Sequence, residues 1–372
     1  MKVLHINCNY VETKLHRIMI KHLEKIGIDN FVFAPVYNLP EENEENRKVV
    51  ISKCFKKYDR IFFDYKSKKI RKALLRNYDI GKFDLIHAYT LFTDGNVVYK
   101  LKKKYPKMKY VVAIRNTDVN TFFKYMLHLR KRGIKIMKEA SAIFFLSKSY
   151  KRVVFNKYVP KNIKEELEKK TYIIPNGIDD FWISNCYKTK DMKSNSKNVN
   201  IIYAGRIDKN KNIETTQETL KMLRDNGYNT QFSIVGKIEN QKIFKKIINY
   251  QNTKYYGEKN KEELMKLYRK NDIFVMPSFS ETFGLVYAEA MSQGLPVIYT
   301  RGQGFDGQFG DGIVGYSVDP KSKNEIADKI KIILRKYREI SGNCIKKVNK
   351  FEWDKIVNKY KKIYEGCIYE NG

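Results

Sequence analysis

The chain alternates short apolar runs with longer segments whose apolar residues recur at helical spacing. The runs are rich in β-branched and aromatic residues and lack strict apolar–polar alternation, which is typical of strands buried on both faces of a parallel sheet. We therefore predict an α/β protein with two doubly wound, Rossmann-like domains. The runs are "KVLHIN", "NFVFAP", "FDLIHAY", "KYVVAI", "SAIFFLS" and "TYIIP", followed by "VNIIYAG", "TQFSIVG", "DIFVMPS" and "LPVIYT".

The two sets of runs are separated by residues 176–199, which lose apolar periodicity and gain Asn, Ser and Lys. We place the interdomain linker there, with a long surface loop inside one domain as the alternative. The prediction is an N-terminal domain at 1–180 and a C-terminal domain at 181–350. Two domains also suit the length, because 372 residues exceed what one hydrophobic core usually organises.

The charge is strongly positive, at a formal net value of +32, and residues 1–180 hold 39 Lys and Arg against 19 Asp and Glu. A balance of this kind indicates an anionic partner such as a membrane surface, a nucleic acid or a phosphorylated substrate. Three basic segments, 65–76, 99–110 and 122–138, also contain aromatic and aliphatic residues. They suit docking on anionic lipid, although ordinary solvated helix faces would give a similar pattern.

Cysteine usage favours a reducing compartment. The five cysteines are scattered, odd in number and never spaced as C-x-x-C, so neither a disulfide framework nor a zinc site is indicated. The chain starts directly on a strand-like run, and no apolar stretch reaches the roughly 18 residues of a membrane span. We expect a cytoplasmic protein that meets the inner face of the cell membrane, if at all, from its surface.

Candidate binding residues follow the strands of the second half, because open α/β sheets bind ligands beyond the carboxyl ends of their strands. Gly205 and Gly236 end two runs, and "RIDKNKN" places Arg206 and Lys211 just past Gly205. A guanidinium fork and an ammonium group together could neutralise a diphosphate. The alternative for either residue alone is solvated surface charge.

The stretch "SFSETFGLVYAEAMSQGLPVI", residues 278–298, predicts a loop that turns into a helix. We expect Ser280 or Thr282 to cap this helix. The backbone N–H groups of Phe283, Gly284 and Leu285 would then form an anion site with the helix dipole, and Gly284 would let a ligand approach closely.

Two glutamates flank that helix start, Glu281 and Glu289. Carboxylates accept hydrogen bonds from the paired hydroxyls of a ribose or a hexose, so both are donor-site candidates. An exposed helix position is the alternative for Glu289. The glycine-dense stretch 300–312 could also wrap a ligand, although such loops are a weak signal.

The segment "SETFGLVYAEAMSQGLPVI" resembles the E-x7-E signature of retaining, nucleotide-sugar-dependent glycosyltransferases of the GT4 type, which have the GT-B fold. Three further segments resemble, in the same order, that family's domain junction, diphosphate-binding loop and C-terminal helix. The similarity covers most of the second half and is looser in the first. The segments are "IPNGID" (174–179), "YAGRIDKNKN" (203–212) and "FEWDKIVNKYKKIYE" (351–365).

The resemblance implies a donor held mainly by the second domain and an acceptor held mainly by the first. Arg206 and Lys211 would contact the diphosphate, Glu289 the ribose hydroxyls and Glu281 the donor sugar, while residues 351–372 would return to the first domain. The family typically needs no metal or other cofactor, and this chain contains no D-x-D pair. UDP is the expected nucleotide.

The first half departs from the family pattern. The first strand-helix loop, "NCNYVETK", lacks the usual glycine pair, and "IRNTDVN" puts Arg115 where an acceptor-side histidine would fall while keeping Asp118, a catalytic candidate. Either Arg115 and Asn116 replace that histidine's sugar contact, or Arg115 pairs with Asp118. His87 is a further acceptor-side candidate, although a structural histidine is the favoured interpretation.

The expected function is transfer of a hexose-type sugar, with retention, from a nucleoside diphosphate sugar to a lipid-linked or polymeric glycan acceptor in cell-surface polysaccharide or glycoconjugate synthesis. Arg206, Lys211 and the helix N-terminus would stabilise the departing diphosphate electrostatically. The alternatives are a nucleic-acid-binding protein, which no recognisable motif supports, and a sugar-phosphate synthase or nucleotide-sugar epimerase on the same fold.

Overall fold

A computed structural model describes residues 1–40, 48–60, 62–188 and 197–369. The chain forms two compact units: residues 1–146, 150–177 and 353–372 make the first, and residues 147–149 and 178–352 make the second. Each unit contains one parallel sheet, so the predicted class of two doubly wound α/β domains is confirmed. Residues 189–196 of the predicted linker lie outside the described residues.

The first unit has a seven-stranded parallel sheet in the order β3-β2-β1-β4-β5-β6-β7. Its strands are β1 (Lys2–Ile6), β2 (Asp29–Val36), β3 (Val49–Lys53), β4 (Leu85–Ala88), β5 (Tyr110–Ile114), β6 (Ala142–Phe145) and β7 (Thr171–Ile173). The helices between them are α1 (Lys14–Lys25), α2 (Phe63–Asn77), α3 (Thr93–Lys102), α4 (Leu127–Glu139), α5 (Lys148–Lys157) and α6 (Lys161–Lys169). The chain leaves β1 for β2 and β3 and then returns to β4 on the other side of β1, which makes a topological switch point between β1 and β4.

The second unit repeats this plan with six parallel strands in the order β10-β9-β8-β11-β12-β13. Its strands are β8 (Asn198–Ala204), β9 (Asn229–Val235), β10 (Thr253–Tyr255), β11 (Ile273–Val275), β12 (Val297–Thr300) and β13 (Gly315–Val318). Its helices are α7 (Asp180–Ser184), α8 (Ile213–Asp225), α9 (Gln241–Ile248), α10 (Lys261–Lys270), α11 (Leu285–Ser292), α12 (Lys323–Arg335) and α13 (Tyr337–Lys347). The switch point lies between β8 and β11.

All ten predicted runs contain a strand, whereas β3, β10 and β13 lie outside them. These three are edge strands, so each pairs on one side only. The side chains of β3 and β10 are also partly exposed. Such strands need fewer apolar residues than central strands do. The apolar-run criterion therefore finds the sheet interiors and misses three of the four edge strands, β7 being the exception.

The beginning of the predicted linker is structured. The helix α7 lies within it, capped by the Asp179 carboxylate, which accepts a hydrogen bond from the Phe181 N–H at 3.0 Å. The Trp182 side chain on this helix is buried. A five-residue helix is too short to show apolar periodicity, so the sequence pattern missed it.

The last helix, α14 (Trp353–Tyr369), belongs to the first unit and packs on α1. Its apolar face, led by Trp353 and Tyr364, joins Met19 and Leu23 in one core cluster. Asp354 also accepts a hydrogen bond from His22 Nδ1 at 2.8 Å. The core of the first unit is thus built from helices more than three hundred residues apart in the sequence. Within the described residues, every helix is too short or too polar to pass through a bilayer.

Replacing Trp353 by Ala should lower the free energy of unfolding by about 3–5 kcal/mol, since it leaves a large cavity under α14. Urea denaturation followed by circular dichroism measures the loss. Tyr369→Ala on the same helix is the control, because that side chain is 68% exposed and its removal should change stability by less than about 0.5 kcal/mol. Equal denaturation midpoints for the two variants would contradict this packing.

Candidate functional site

The loops that follow β8 and β11 meet at the switch point of the second sheet, and Asn210 joins them. Its carboxamide donates to the Ser280 carbonyl at 2.8 Å and accepts from the Ser280 N–H at 3.0 Å. Its backbone carbonyl accepts from the Phe279 N–H at 2.8 Å. Asn210 was not predicted from the sequence, because only the fold brings residues seventy positions apart into contact.

Asn212 fixes the end of the same loop. It adopts a left-handed backbone conformation, with φ of 55°. Its side-chain amide donates to the carbonyls of Pro277, at 3.0 Å, and Pro320, at 2.6 Å. Because these partners belong to two other loops, Asn212 holds three chain segments in one arrangement.

Lys211 and Glu281 form an ion pair between the two loops. The Lys211 ammonium lies 2.6 Å from Glu281 Oε2, and each side chain is only 14% exposed. The other carboxylate oxygen, Oε1, accepts a hydrogen bond from the Thr282 N–H at 3.0 Å. Both residues were predicted from the sequence, with separate contacts to a ligand. The structure adds that they contact each other.

Arg206 differs from Lys211 in its exposure. Its side chain is 66% exposed, and its guanidinium lies 3.9 Å from the Asp208 carboxylate, beyond hydrogen-bonding distance. A long, solvated pair of this kind contributes little to stability. The Arg206 guanidinium is therefore available to an anionic ligand that reaches this edge of the sheet.

Gly205 and Gly236 end the neighbouring strands β8 and β9, and their backbones are in close contact. A Cβ atom on Gly236 would lie 2.0 Å from the Gly205 carbonyl oxygen, so no other residue fits there without a backbone shift. These glycines were predicted to contact a ligand. The described contacts show instead that Gly236 allows two strand ends to approach each other, a requirement that is independent of any ligand.

The helix α11 begins differently from the prediction. Its N-cap is Gly284 in a left-handed conformation, with φ of 74°, and no side chain caps it. The expectation that Ser280 or Thr282 caps the helix was wrong, because the turn at Gly284 places both residues before the first turn. Within the described part of the chain, no hydrogen-bond acceptor is found for the N–H groups of Phe283, Gly284 and Leu285.

The side chains at this helix start have structural roles. Phe283 is buried and packs edge-on against Phe305 and Phe351, with ring centroids 6.0 and 5.5 Å away. A Cβ on Gly284 would lie 2.4 Å from the Tyr287 ring. Phe283 can therefore offer a ligand its backbone N–H alone, which is the group that the anion-site prediction requires.

Glu289 lies in the last half of α11 and is only partly exposed, so the alternative of a fully solvated helix position is excluded. Burial, with a smaller contribution from the Asp179 carboxylate, raises the pKa of its carboxyl to about 7 against the opposing effect of the Lys261 ammonium. Lys261 and Asp179 form an ion pair with each other. Asp179, the last residue of the "IPNGID" segment, thus belongs to one electrostatic cluster with Lys261 and Glu289.

The glycine-dense loop after β12 packs against the Glu281 loop. Gln303 accepts a hydrogen bond from the Glu281 N–H at 3.1 Å, and the Gly304 N–H donates to the Glu281 carbonyl at 3.0 Å. A Cβ on Gly304 would lie 1.7 Å from the Thr282 carbonyl oxygen. The loop was predicted from the sequence without Gln303 or Gly304 being singled out, and both contact protein backbone.

The catalytic candidate in the first unit, Asp118, is 1% exposed. Its carboxylate accepts hydrogen bonds from the backbone N–H groups of Leu91, Phe92 and Arg115, at 2.9–3.1 Å. Burial raises its pKa to about 6, and these three hydrogen bonds oppose the shift. The bonds join the loop after β4 to the loop after β5, which is a structural role, and this geometry offers no support for a catalytic contact.

The acceptor-side candidates are arranged around Asp118. The Arg115 guanidinium donates to the Tyr89 carbonyl at 3.4 Å and to Asn176 Oδ1 at 3.2 Å, so the alternative that its side chain pairs with Asp118 is not what the structure contains. Asn116 is partly exposed and accepts a hydrogen bond from Asn120 at 2.6 Å. Asn116 is thus the more accessible of the two.

His87 does not reach the surface, and its assignment as an acceptor-side residue is corrected. The ring is fully buried, stacks on Tyr89 at 4.2 Å and bonds the Tyr364 hydroxyl of α14 at 2.6 Å. Burial also lowers its pKa well below the usual value. His87 is a core residue, in agreement with the favoured structural interpretation.

The first unit has its own cavity of about 580 Å³ at the switch point of its sheet. The loops after β1 and β4 contribute to its walls, together with α2 and the segment before α4. Its lining combines apolar rings and chains with hydroxyls, amides, one ammonium group and the carboxylates of Glu12 and Asp118. The lining residues include Phe55, Phe63, Lys66, Thr93, Phe122 and Met126.

In the described ranges, no group of three or more His, Cys, Asp and Glu side chains is arranged to bind a metal ion. Metal independence stays a prediction, because the family resemblance and not the geometry carries it.

Two family models match the chain: residues 17–180 match "Glycosyltransferase Family 4" and residues 188–351 match "Glycosyl transferases group 1". An uncharacterized glycosyltransferase of Methanocaldococcus jannaschii is 27% identical over 341 residues, which cover 88% of each chain. Sucrose-phosphate synthase from Thermosynechococcus elongatus superposes with a TM-score of 0.75 over 100% of both chains at 18% identity. Anabaena HepE, solved in complex with UDP-glucose, gives 0.66 over 97% of this chain and 98% of its own, at 15% identity.

Proposed function

Since the chain belongs to the GT4-type glycosyltransferases with the GT-B fold, we propose that it transfers a hexose-type sugar from a UDP-sugar to a glycan or lipid-linked acceptor with retention of configuration. One observation carries this proposal. Lys211, in the loop after β8 that also carries Arg206, pairs with Glu281 just before α11, at the carboxyl edge of the second sheet, where we expect a diphosphate to meet both cations and the helix N-terminus.

The leaving group is stabilised by these three elements. The Arg206 guanidinium and the Lys211 ammonium are the cations, and the N–H groups of Phe283, Gly284 and Leu285 donate to phosphate oxygens at the positive end of the helix dipole. As the bond between the sugar and the phosphate breaks, negative charge grows on the diphosphate. Groups already held in place stabilise that charge with little reorganisation.

Glu281 has two roles in this proposal. In the structure it holds the Lys211 ammonium, and its Oε1 is bonded to the Thr282 N–H. When the donor binds, the Lys211 ammonium, which has three N–H groups, donates hydrogen bonds to both Glu281 and the diphosphate. Glu281 then accepts a hydrogen bond from a hydroxyl of the donor sugar, as the family resemblance implies.

Glu289 accepts the two ribose hydroxyls through its ionised carboxylate. Support comes from its place one turn along α11 from the N-terminus that faces the phosphate, and from its partial exposure. Its raised pKa means that the carboxylate is only partly ionised near pH 7. Ribose binding is therefore linked to pH.

The reaction is proposed as a same-face displacement in which the leaving phosphate accepts the proton of the acceptor hydroxyl. Glu281 and Glu289 both serve donor binding, and no described carboxylate is assigned as a covalent nucleophile. The choice of UDP is supported by HepE, whose fold this chain shares and which was solved with UDP-glucose. A sugar phosphate is the alternative acceptor, because sucrose-phosphate synthase also shares the fold.

We place the site of action at the inner face of the cell membrane, in synthesis of a cell-surface glycan or glycoconjugate. The positive charge of residues 1–180 supports this location, because anionic lipid attracts Lys and Arg near its surface. Hydrolysis of a panel of nucleotide sugars, read by the nucleoside diphosphate released, tests the donor. No release from any UDP-sugar would reject UDP.

Arg206→Ala should lower kcat/KM for donor hydrolysis about ten- to hundredfold, since a charge-assisted contact is worth about 1.5–3 kcal/mol. Lys209→Ala is the matched control, because Lys209 lies in the same loop and is exposed but faces no predicted ligand. Equal losses in the two variants would show that Arg206 acts only through its charge at long range.

Glu289→Gln should remove a pH dependence. In the wild-type protein, UDP affinity should fall by up to about tenfold per pH unit below pH 7, because the protonated carboxyl cannot accept both hydroxyls. The Gln variant should bind weakly with a flat profile, as measured by calorimetry between pH 5.5 and about pH 8.

The same ionisation affects folding stability in the opposite direction to UDP binding. A carboxyl with a raised pKa contributes stability that is complete below the unfolded pKa and is lost as the pH rises through about 7. The Gln variant should thus be at least as stable as the wild type at high pH. Weak binding together with lower stability at high pH would indicate misfolding instead.

Turnover should be unchanged by EDTA, because two cations and a helix N-terminus already face the diphosphate. The assay compares initial rates with and without the chelator. Loss of activity that magnesium or manganese restores would overturn the metal-independent mechanism.

A further inference from the structure

Exposed apolar side chains of the first unit gather in two short segments. Of the ten large hydrophobic residues that are exposed in the described part of the chain, five lie at the starts of α2 and α4 or in the few residues before them, and each is more than half exposed. Such residues are scattered singly on most proteins, so their grouping here is unusual. We call this group the apolar rim: Tyr58, Phe62, Tyr65, Tyr125 and Leu127.

The two segments are neighbours in space. The Phe63 and Phe122 rings meet with centroids 5.9 Å apart. Arg132 of α4 forms an ion pair with Asp64 of α2, and its guanidinium lies 5.9 Å from the Phe63 ring centroid. The apolar rim is therefore one surface and not two separate ones.

Basic residues surround the apolar rim. Residues 56–72 contain eight Lys and Arg against two Asp, and residues 124–138 contain six against no acidic residue. Both aspartates are already paired, Asp59 with Lys69 at 2.8 Å and Asp64 with Arg132. The surface around the apolar rim thus carries a large excess of positive charge.

The cavity of the first unit lies directly behind the apolar rim. Phe63, Phe122 and Met126 line the cavity and are sequence neighbours of the rim residues Phe62, Tyr125 and Leu127. Lys66 also lines it, with its ammonium 4.5 Å from the Phe55 ring centroid. An apolar chain could follow the aromatic walls while an anionic group meets Lys66.

We propose that the apolar rim enters the headgroup layer of a bilayer containing anionic lipid, so that the cavity receives its acceptor directly from the membrane. Aromatic side chains at the lipid–water boundary with Lys and Arg beside them are the pattern of proteins that bind to a membrane surface. A neutral protein partner would leave this excess of charge unmatched. The docking itself stands on the rim and its charge, and only the source of the acceptor rests on the proposed glycosyl transfer.

The basic segment 99–110 serves as an internal comparison. It carries a similar density of lysines, but Leu101 is fully buried and Tyr99, Tyr105 and Met108 are partly covered. Charge without exposed apolar groups attracts lipid at a distance but does not insert. The proposal therefore separates the apolar rim from an equally basic surface of the same unit.

Vesicle sedimentation tests the rim. The full chain should pellet with vesicles of mixed phosphatidylcholine and phosphatidylglycerol at low salt, and binding should fall by at least about tenfold on phosphatidylcholine alone, since each basic side chain near anionic lipid contributes about fivefold. Phe62→Ser with Tyr125→Ser and Leu127→Ser should lose about tenfold or more in partitioning. The control, Tyr369→Ser, removes an equally exposed aromatic residue elsewhere and should bind like the wild type.

Charge reversal separates the two basic surfaces. Lys131→Glu with Lys135→Glu changes exposed lysines one and two turns beyond Leu127 on the same side of α4. Lys103→Glu with Lys104→Glu makes the same change in charge in the comparison segment, also at exposed positions. The first pair should weaken binding several-fold more than the second. Equal losses would mean diffuse attraction and would overturn the rim as the docking surface.

Fluorescence reports insertion directly. The two native tryptophans, Trp182 and Trp353, are buried, so they give a constant background. Phe62→Trp should shift its emission to shorter wavelength on anionic vesicles, whereas Tyr369→Trp should not. A wild-type protein that stays in the supernatant, or rim variants that bind normally, would overturn the proposal. Donor hydrolysis in solution should be unchanged in the rim variants, so its absence from the wild type would reject the glycosyl transfer and leave the docking standing.

Discussion

The hydrogen bonds of Asn210 to residues 279 and 280 hold together two loops that leave neighbouring strands, and the arrangement of charges at the site depends on this join. Parallel strands bring their carboxyl ends to one edge, but the loops beyond them diverge unless something connects them. Here the Asn210 side-chain amide connects them, because it donates to the Ser280 carbonyl at 2.8 Å and accepts from the Ser280 N–H at 3.0 Å, as a paired backbone would. Gly236 and Gly304 allow the neighbouring backbones to approach closely enough for the whole edge to close.

The ion pair of Lys211 and Glu281 spans the two loops that the Asn210 hydrogen bonds hold together. Holding an ammonium group away from water is costly unless a carboxylate lies beside it, and at 14% exposure both groups are largely removed from solvent. The pair therefore keeps a cation at the edge of the sheet before any anion arrives. The exposed Arg206 shows the contrasting case, in which water instead of a partner stabilises the charge.

Much of the fold was readable from the sequence, because buried parallel strands are nearly continuous apolar runs. The sequence also pointed to the loops after β8 and β11, since Arg, Lys, Glu and Gly grouped just past strand ends are typical of a phosphate-binding edge, and their role in donor binding stays a prediction. Contacts were not readable. The pairing of Lys211 with Glu281 joins positions seventy apart, and the cover of His87 by Tyr364 joins positions 277 apart.

The helix start at Gly284 was mispredicted for a local reason. Ser280 and Thr282 are good capping residues, but the left-handed turn at Gly284 starts the helix after both of them. Their backbone N–H groups are held within the loop by hydrogen bonds to Asn210 and Glu281. The apolar rim was unreadable for a different reason, since "FFKYMLHLRKRG" does not show which of its apolar residues neighbouring elements cover.

The return of α14 to the first unit has a consequence for synthesis on the ribosome. The apolar face of α1, with Met19 and Leu23, packs partly on Trp353 and Tyr364 of α14, which are synthesised more than three hundred residues later. The second unit, a nearly continuous stretch from 178 to 352, emerges earlier and can fold as it emerges. The core of the first unit is therefore completed after the second unit has been made, and part of the apolar face of α1 stays uncovered until α14 emerges.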